Sequence, residues 1–408
     1  MEPRSTRLAI VLVTGLFFLW ALAHNLNPIL IPHLRRALQL NDMRSALVDS
    51  AFFIAYFVMA LPAGALMARF GYRSGIVGGL LLFALGAALF WPAATLRSYP
   101  LFLSALFMIA SGLTFLETAA NPYITALGDP ATAHRRLNFA QAFNGLGAAL
   151  AAFFGGRFIL SGEAPSEEAL KAMAPAALDA FLTQEALAVR VPYLIIALVV
   201  LLAAALFMRV PLPKINAHER TDDGAKPRSM RRLWAAVGAQ FCYVGAQVGV
   251  ASFFIRFAGR TADIGEQEAA YLLSIGLLLF MSGRFIGTAL LRRMHATTLL
   301  GASAGIAAML SGVAVVGSGI AAVGTLIALQ LFMSIMFPTI FSLGIEGLGS
   351  RTKLGSSLLV MSIAGGAIVP PLMGAISDRH GIQLAYLVPL ACFLLVLLFA
   401  RTAKRLPA

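Results

Sequence analysis

Residues 113–128 read Leu113-Thr-Phe-Leu-Glu-Thr-Ala-Ala-Asn-Pro-Tyr-Ile-Thr-Ala-Leu-Gly128, and residues 338–344 read Pro338-Thr-Ile-Phe-Ser-Leu-Gly344. Both end in the pattern P-x-I-x-x-L-G, and Pro338 lies 216 positions after Pro122. Each copy closes a continuous apolar run, the fourth and the tenth along the chain. The runs are about 20 residues long, the length of a helix that crosses a bilayer. They lack the two-residue alternation of a transmembrane β-barrel. Of the 408 residues 59% are hydrophobic and 12% charged, against about 45–50% and 25% in soluble domains. A water-soluble globule is excluded, and so is a disordered chain, which would lack this apolar content.

Working outward from these two segments, the apolar runs between charged breaks give twelve spans, at 8–32, 46–68, 76–95, 100–127, 137–160, 191–209, 233–257, 270–291, 296–316, 318–345, 353–376 and 383–401. Arg4 and Arg7, an apolar core and Ala21-Leu22-Ala23 have the form of a cleavable signal. The apolar stretch nevertheless continues through Pro28 to Ile31, and cleavage would leave eleven spans and break the repeat. The chain holds 31 Lys/Arg and 18 Asp/Glu, a net charge of +13. In a membrane protein that excess reads as loop charge facing anionic cytoplasmic lipid, not as a nucleic-acid footprint. With the amino terminus inside, even-numbered loops and the two tails carry 20 Lys/Arg and odd-numbered loops 10, so both termini are expected in the cytoplasm. The longest basic stretch, Arg209 to Arg232 with seven Lys/Arg, separates a six-helix bundle over 1–209 from another over 233–408, with 210–232 as a cytoplasmic loop. The connection 161–190 reads as an outer loop. Cys242 and Cys392, both inside apolar runs, make neither a disulfide framework nor a metal cluster.

Spans two and eight also correspond, each ending in a glycine-spaced segment that runs into basic residues, Gly64 to Arg73 and Gly283 to Arg293. Matching elements at matching rank in each half mark a parallel six-helix repeat, the signature of the major facilitator architecture. The expected fold is an all-α integral membrane protein of twelve transmembrane helices. Its substrate site would lie between the halves near the midplane, and rocking of one half against the other would alternate access.

An ionisable side chain at the bilayer centre costs about 2.5–3.5 kcal/mol on insertion scales, so polar residues inside the spans carry the functional reading. Glu117 has no charge within ten residues on either side, and it shares a helix face with Thr114 and Asn121. A carboxyl that gains and loses a proton in a water-accessible cavity is what proton coupling requires; the alternative is a structural glutamate bracing helix packing. Span five places Asn138, Gln141 and Asn144 on one face. Amides suit sugar hydroxyls because they both donate and accept, or they join neighbouring helices; Asn138, near the cytoplasmic end, reads as structural. Span one aligns Trp20, His24 and Asn27, with Asn25 about 100° away, before Pro28 and Pro32 break the helix. Trp20 can stack on a pyranose ring or pack as a core aromatic, and His24 can carry a proton or brace a neighbour. Asp49, about one turn inside span two, is either a helix-end carboxylate favoured by the dipole or a second titrating group at the cavity mouth. Span seven places Gln240, Tyr243 and Gln247 on one face, a mixture suited to sugar contact. Phe337 and Pro338 kink span ten. Arg284, at the inner end of span eight, reads as a contact between helices at a gate. No HExxH, P-loop or CxxC motif is present, so an enzyme is not expected, nor is a cofactor.

Leu116-Glu-Thr-Ala-Ala-Asn-Pro122 closely resembles the fucose–proton symporter family of the major facilitator superfamily. The same holds for Leu137-Asn-x-Ala-Gln-x-Phe-Asn144, Tyr243-Val-Gly-Ala-Gln247, Gly283-Arg-Phe-x-Gly-Thr288, Phe337-Pro-Thr-Ile-Phe-Ser-Leu-Gly344 and Lys353-x-Gly-Ser-Ser357. The resemblance covers all twelve spans. It implies uptake of a monosaccharide (a hexose or a 6-deoxyhexose such as fucose) across a bacterial inner membrane, driven by the proton gradient. It also implies that Glu117 is a protonation site and that Trp20, Asn25, Gln141 and Asn144 line the central cavity. The family's span-one pattern is Asn-Asn-Leu-Asn-Asp, whose Asp is a second essential carboxyl. Here the stretch reads His24-Asn-Leu-Asn-Pro28, which lacks it. Asp49, with His24, is the expected replacement. The competing readings are a sugar uniporter without proton coupling, a small-molecule exporter, whose cavity would be more apolar, and a membrane sugar sensor. A monomer suffices for this architecture.

Overall fold

In hydrocarbon every backbone N–H and C=O must be satisfied within its own segment, and the apolar runs accordingly form helices. The computed structural model describes residues 3–25, 37–39, 42–158, 172–210, 212–213 and 227–405, and no strand occurs among them. The helices are α1 (Pro3–Asn25), α2 (Asp42–Phe70), α3 (Tyr72–Thr95), α4 (Tyr99–Ala126), α5 (Ala133–Phe158), α6 (Arg190–Arg209), α7 (Pro227–Ala262), α8 (Glu266–Leu290) and α9 (Ala296–Val316). There follow α10, in two segments (Gly319–Met333 and Met336–Ile345), α11, in two segments (Thr352–Met361 and Gly365–His380), and α12 (Leu387–Arg405). Ten of these stretches are long and apolar enough to cross a membrane. The apolar part of α1 is shorter, Thr6–Leu22, and α5 opens on His134, Arg135 and Arg136. Together they make the twelve expected spans. Part of the connection expected to be an outer loop is instead a helix, Pro175–Ala188, which starts at a proline and is rich in alanine, the best helix former. Pro28 and Pro32 lie outside the described residues.

Small residues set the helix spacing, because lipid gives helices no hydrophobic reason to associate and close backbone contact must serve instead. Where α3 crosses α4, a Cβ on Gly112 would sit 2.6 Å from both the carbonyl oxygen of Gly79 and the amide nitrogen of Phe83. A Cβ on Gly79 would sit 2.8 Å from the Gly112 carbonyl oxygen. Both obstructions are backbone and cannot yield. Gly112→Val is therefore expected to force α3 and α4 apart at about 1–3 kcal/mol, read as a thermal midpoint several degrees lower for the purified protein. An unchanged midpoint would mean that this crossing is slack. Each half repeats one further device. Gly147 of α5 abuts the Phe18 carbonyl of α1, and Gly365 of α11 abuts the Phe241 carbonyl of α7. The first and fifth helices of each half thus cross at a glycine seated on a phenylalanine carbonyl.

The two proline heptapeptides act differently. Proline lacks an N–H, so the carbonyl four residues earlier loses its donor. In α4 the helix runs unbroken through Pro122, and the Thr118 carbonyl takes a hydrogen bond from Ser356 Oγ of α11, in the other half, at 2.7 Å. In α10 the helix breaks at Ser334–Ile335, as the expected kink requires, and Tyr243 Oη donates to the Met333 carbonyl at 2.9 Å. Gly128 follows α4 with φ 81°, whereas Gly344 stays helical and Gly347 makes the positive-φ turn with φ 74°.

The halves meet where α2 packs on α11, α5 on α8, and α4 and α5 on the second segment of α10. Helix geometry then orients the site. Gly112 and Leu116 face α3, and a rotation of about 100° per residue turns Glu117 away from α3.

Candidate functional site

Glu117 is half-buried, and its Oε1 accepts a hydrogen bond from Tyr56 Oη of α2 at 2.9 Å. One turn further along α4, the buried Asn121 Oδ1 accepts from Gln141 Nε2 of α5 at 3.3 Å. The other half contributes Arg284 of α8, a residue only 7% exposed. Its Nη1 donates to the backbone carbonyl of Gln141 and lies 3.3 Å from Gln141 Oε1 and 3.3 Å from Asn144 Oδ1. Phe280 lies beside the guanidinium, 4.8 Å from its carbon to the ring centroid. Asn144 Nδ2 in turn donates to the Phe17 carbonyl of α1 at 3.2 Å. Five helices, α1, α2, α4, α5 and α8, therefore meet at one polar cluster that crosses between the halves.

The electrostatics set carboxylate against guanidinium. Glu117 and Arg284 attract each other without forming an ion pair, and a buried arginine without a nearby counter-charge would be costly. Neutralising Glu117 therefore alters the field on the cation that here joins α8 to α5. Asn121 Nδ2 and Arg284 Nε are buried and without hydrogen-bond acceptors, so the cluster holds unused donors that an incoming hydroxyl could satisfy. Chemically the arrangement offers a partly exposed carboxyl, amides of both polarities and a fixed cation. Among the described residues no three His, Cys, Asp or Glu converge as metal ligands, and both cysteines are free.

The structure brings Glu117, Asn121, Gln141 and Asn144 together and adds Tyr56 and Arg284. Tyr56 was missed by the sequence reading; its signal is a lone phenol among the phenylalanines of Ala51-Phe-Phe-Ile-Ala-Tyr56-Phe. Other candidates lie elsewhere. Gln240 is fully buried, with neither amide atom bonded, and so does not face an open cavity in this state. Tyr243 is also fully buried, its hydroxyl engaged at the α10 break described above. Gln247 and Phe337 are half-buried, and Phe337 stacks on Phe341 at 6.4 Å and 17°. Trp20 is buried, its ring 4.4 Å from that of Phe17, beside a small void bordered by Leu80, Phe83, Leu116 and Val200 of its own half. The backbones of His24 and Asn25 close α1 and that of Asp49 lies in α2. The side chains of all three, and Asn27 as a whole, lie outside the described residues.

At one end of the bundle the halves are latched. Ser356 holds the Thr118 carbonyl, Asn138 Nδ2 lies 3.3 Å from Thr339 Oγ1, and His134 Nδ1 lies 2.6 Å from Ser342 Oγ. His134 Nε2 is also 4.0 Å from Glu346, whose carboxylate pairs with Arg232 at 2.6 Å. Burial holds the His134 imidazole below its ordinary value; Glu346 opposes that shift and Arg232 adds to it. A site that holds the neutral imidazole binds fewer protons than the released one, so closure gains stability as pH rises. The latch is at full strength above about pH 6.5 and is lost as pH falls through the depressed value. Hydrogen–deuterium exchange at 133–138 and 339–345, corrected for intrinsic rates, is expected to rise between pH 7.5 and 5.5. The rise should be absent in His134→Gln; a flat profile in the unsubstituted protein would sink this reading.

Comparison with known proteins agrees with this fold. Residues 12–361 match the family model of the Major Facilitator Superfamily. The chain is 44% identical to the L-fucose-proton symporter of Escherichia coli (strain K12), over 98% of this chain and 94% of that protein. It is 43% identical to the glucose/galactose transporter of Brucella abortus biovar 1 (strain 9-941), over 94% and 91%. It superposes on the crystal structure of the transporter FucP in the outward conformation with a TM-score of 0.92, at 43% identity, covering 98% of this chain and 99% of that one.

Proposed function

The chain belongs to the major facilitator superfamily, and we propose that it imports a monosaccharide together with protons. The observation that carries this is the half-buried Glu117 carboxyl, held by Tyr56 and set beside an amide and arginine cluster that joins the two halves. Family and relatives are transporters, which points away from enzyme activity.

The sugar hydroxyls exchange hydrogen bonds with Gln141, Asn144 and Asn121, and Asn121 Nδ2 lacks an acceptor until the sugar arrives. A proton taken up by Glu117 from the cavity side removes the carboxylate charge that Arg284 feels, and this frees α8 to move relative to α5. The described state is the outward-facing one. The latched end carries Arg135, Arg136, Arg351 and Lys353, which the positive-inside rule assigns to the cytoplasm, and the superposition on FucP in its outward conformation supports that choice. Both termini then lie in the cytoplasm, and the membrane is the bacterial inner membrane. The proton gradient is the energy source, no cofactor takes part, and one chain is sufficient. The candidate sugars are hexoses and 6-deoxyhexoses, after the sugars for which the two relatives are named.

Pro28, where the resembling family has an essential Asp, favours a second reading, a uniporter that has lost coupling. Proteoliposomes with a pH-sensitive dye separate the two. A panel of hexoses, 6-deoxyhexoses and amino sugars is added, and alkalinisation of the medium is recorded beside labelled-sugar entry. Sugar-dependent alkalinisation is the expected result. Sugar equilibration without proton movement would establish the uniporter, and neither signal for any sugar would overturn both. Asp49→Asn tests whether the missing carboxyl has moved to α2; intact proton-coupled uptake in that variant would end the idea.

A further inference from the structure

At the latched end, beside the contact between His134 and Ser342, a cavity of about 290 Å³ opens between the halves. Its walls include His134 and Arg135 from the first turn of α5, and Arg292, Arg293 and His295 from the connection between α8 and α9. A second cavity of about 450 Å³ shares Arg135 and Arg292 with the first. These two arginines, one from each half, thus form a common wall.

No described carboxylate lines either cavity. Two described carboxylates at this end have partners of their own: Glu346 pairs with Arg232, and Asp129 accepts from the Ala131 N–H at the start of a short turn. Among the described residues, Arg135, Arg292 and Arg293 have no ion-pair or side-chain hydrogen-bond partner. Three guanidiniums facing a shared space repel one another unless an anion intervenes. The cavity also includes Ala296, the first residue of α9, and no side chain caps that helix start. Its free N–H groups and positive dipole end add to the same field. Topology alone asks only that these loops be basic. It does not ask that arginines from opposite halves border one cavity.

We propose that this cavity is a binding site for a phosphate group, held by Arg135 from one half and by Arg292 and Arg293 from the other. Arginine suits this ligand because its planar fork matches phosphate oxygens two at a time. The group is either the headgroup of an anionic phospholipid or the phosphate of a soluble ester. Because it touches both halves, the bound phosphate clamps the latched state, so the site regulates transport without overlapping the Glu117 cluster.

The test uses the purified full-length protein. In detergent, its thermal midpoint is followed on addition of inorganic phosphate or glucose 6-phosphate, with sodium chloride at matched ionic strength as control. In nanodiscs, phosphatidylcholine is compared with phosphatidylcholine containing phosphatidylglycerol. A ligand that binds only the folded state raises the midpoint in proportion to the logarithm of its concentration. The expected result is a rise of several degrees in at least one arm, lost in Arg135→Gln and in the double variant Arg292→Gln/Arg293→Gln. Arg292 and Arg293 are exposed, so the double variant leaves the core intact if Arg135→Gln fails to fold. A response in the detergent arm identifies a soluble ester, and a response confined to the nanodisc arm identifies the lipid. No rise in either arm, or a rise that survives the double variant, would overturn the proposal. Sugar binding by the double variant should be unchanged, so failure here is separable from failure of the transport reading.

Discussion

Glu117→Gln is expected to reduce sugar-dependent proton uptake to the level of empty liposomes while leaving sugar exchange between equal pools in place. Glutamine has the shape of protonated glutamate, and its side-chain oxygen can still accept from Tyr56 Oη, so the local packing around α2 and α4 is kept. What it cannot do is release a proton or present a negative charge to Arg284. Accumulation against a gradient therefore fails, and counterflow, which needs no net proton movement, persists. Parallel assays of dye alkalinisation and labelled-sugar counterflow read the two apart. Coupled uptake surviving in this variant would remove Glu117 from the mechanism. Tyr56→Phe deletes the hydrogen bond but keeps the ring. Bonds to charged groups are worth about 1.5–3 kcal/mol, so coupled uptake should fall roughly 10- to 100-fold with a displaced pH profile and little change in sugar binding. A purely structural tyrosine would lower the thermal midpoint instead and leave the profile in place.

The second large effect is expected from Arg284→Ala. The substitution strips the donor from three acceptors at once, the Gln141 carbonyl, Gln141 Oε1 and Asn144 Oδ1. Each buried group left unsatisfied costs about 1–3 kcal/mol. The α5 to α8 contact loosens, and the amides of the cluster lose their common anchor. Sugar affinity by calorimetry is expected to drop at least about 10-fold, the equivalent of 1.4 kcal/mol, and uptake to approach background. Arg284→Lys should restore little, because the lysine ammonium ends a shorter stem and does not occupy the position of Nη1. Uptake within twofold of normal in either variant would show that the cluster works without this cation. The two predictions are coupled, since Arg284 and Glu117 share one field, and the double variant should be less than additive.

Much of the site was legible in the sequence because charges and amides inside apolar runs are costly and therefore conspicuous. Glu117, Asn121, Gln141 and Asn144 were each marked by polarity at helical spacing, and all four meet in the folded chain. Arg284 was visible as a charge at a helix end and was read as a gate contact. Its reach into the Gln141 and Asn144 cluster depends on how α8 lies against α5, which no spacing along α8 encodes. Gln240 and Tyr243 illustrate the opposite limit. They share a helix face with Gln247, yet that face is directed at the break in α10, where Tyr243 serves the Met333 carbonyl and Gln240 is enclosed. A helix face fixes which side chains point together but leaves open what they point at.

By itself the sequence determined the membrane class, the twelve spans, the six-helix repeat and the proton-carrying candidate. These follow from local quantities: apolar run length, charge between runs and polarity within them. Only the tertiary structure decided the other assignments. The carbonyl that Pro122 frees on Thr118 is satisfied by Ser356 from the opposite half, and the phenol on Glu117 comes from α2. The Gly147 and Gly365 crossings, and the arginines of α5 and of the α8–α9 connection around one cavity, belong to the same class. The physical reason is common to all of them. A hydrogen bond or close contact between residues up to 238 positions apart depends on where two rigid helices cross, and a bilayer exerts no hydrophobic force on that choice. Backbone clearance at a few glycines and the satisfaction of individual polar groups decide it.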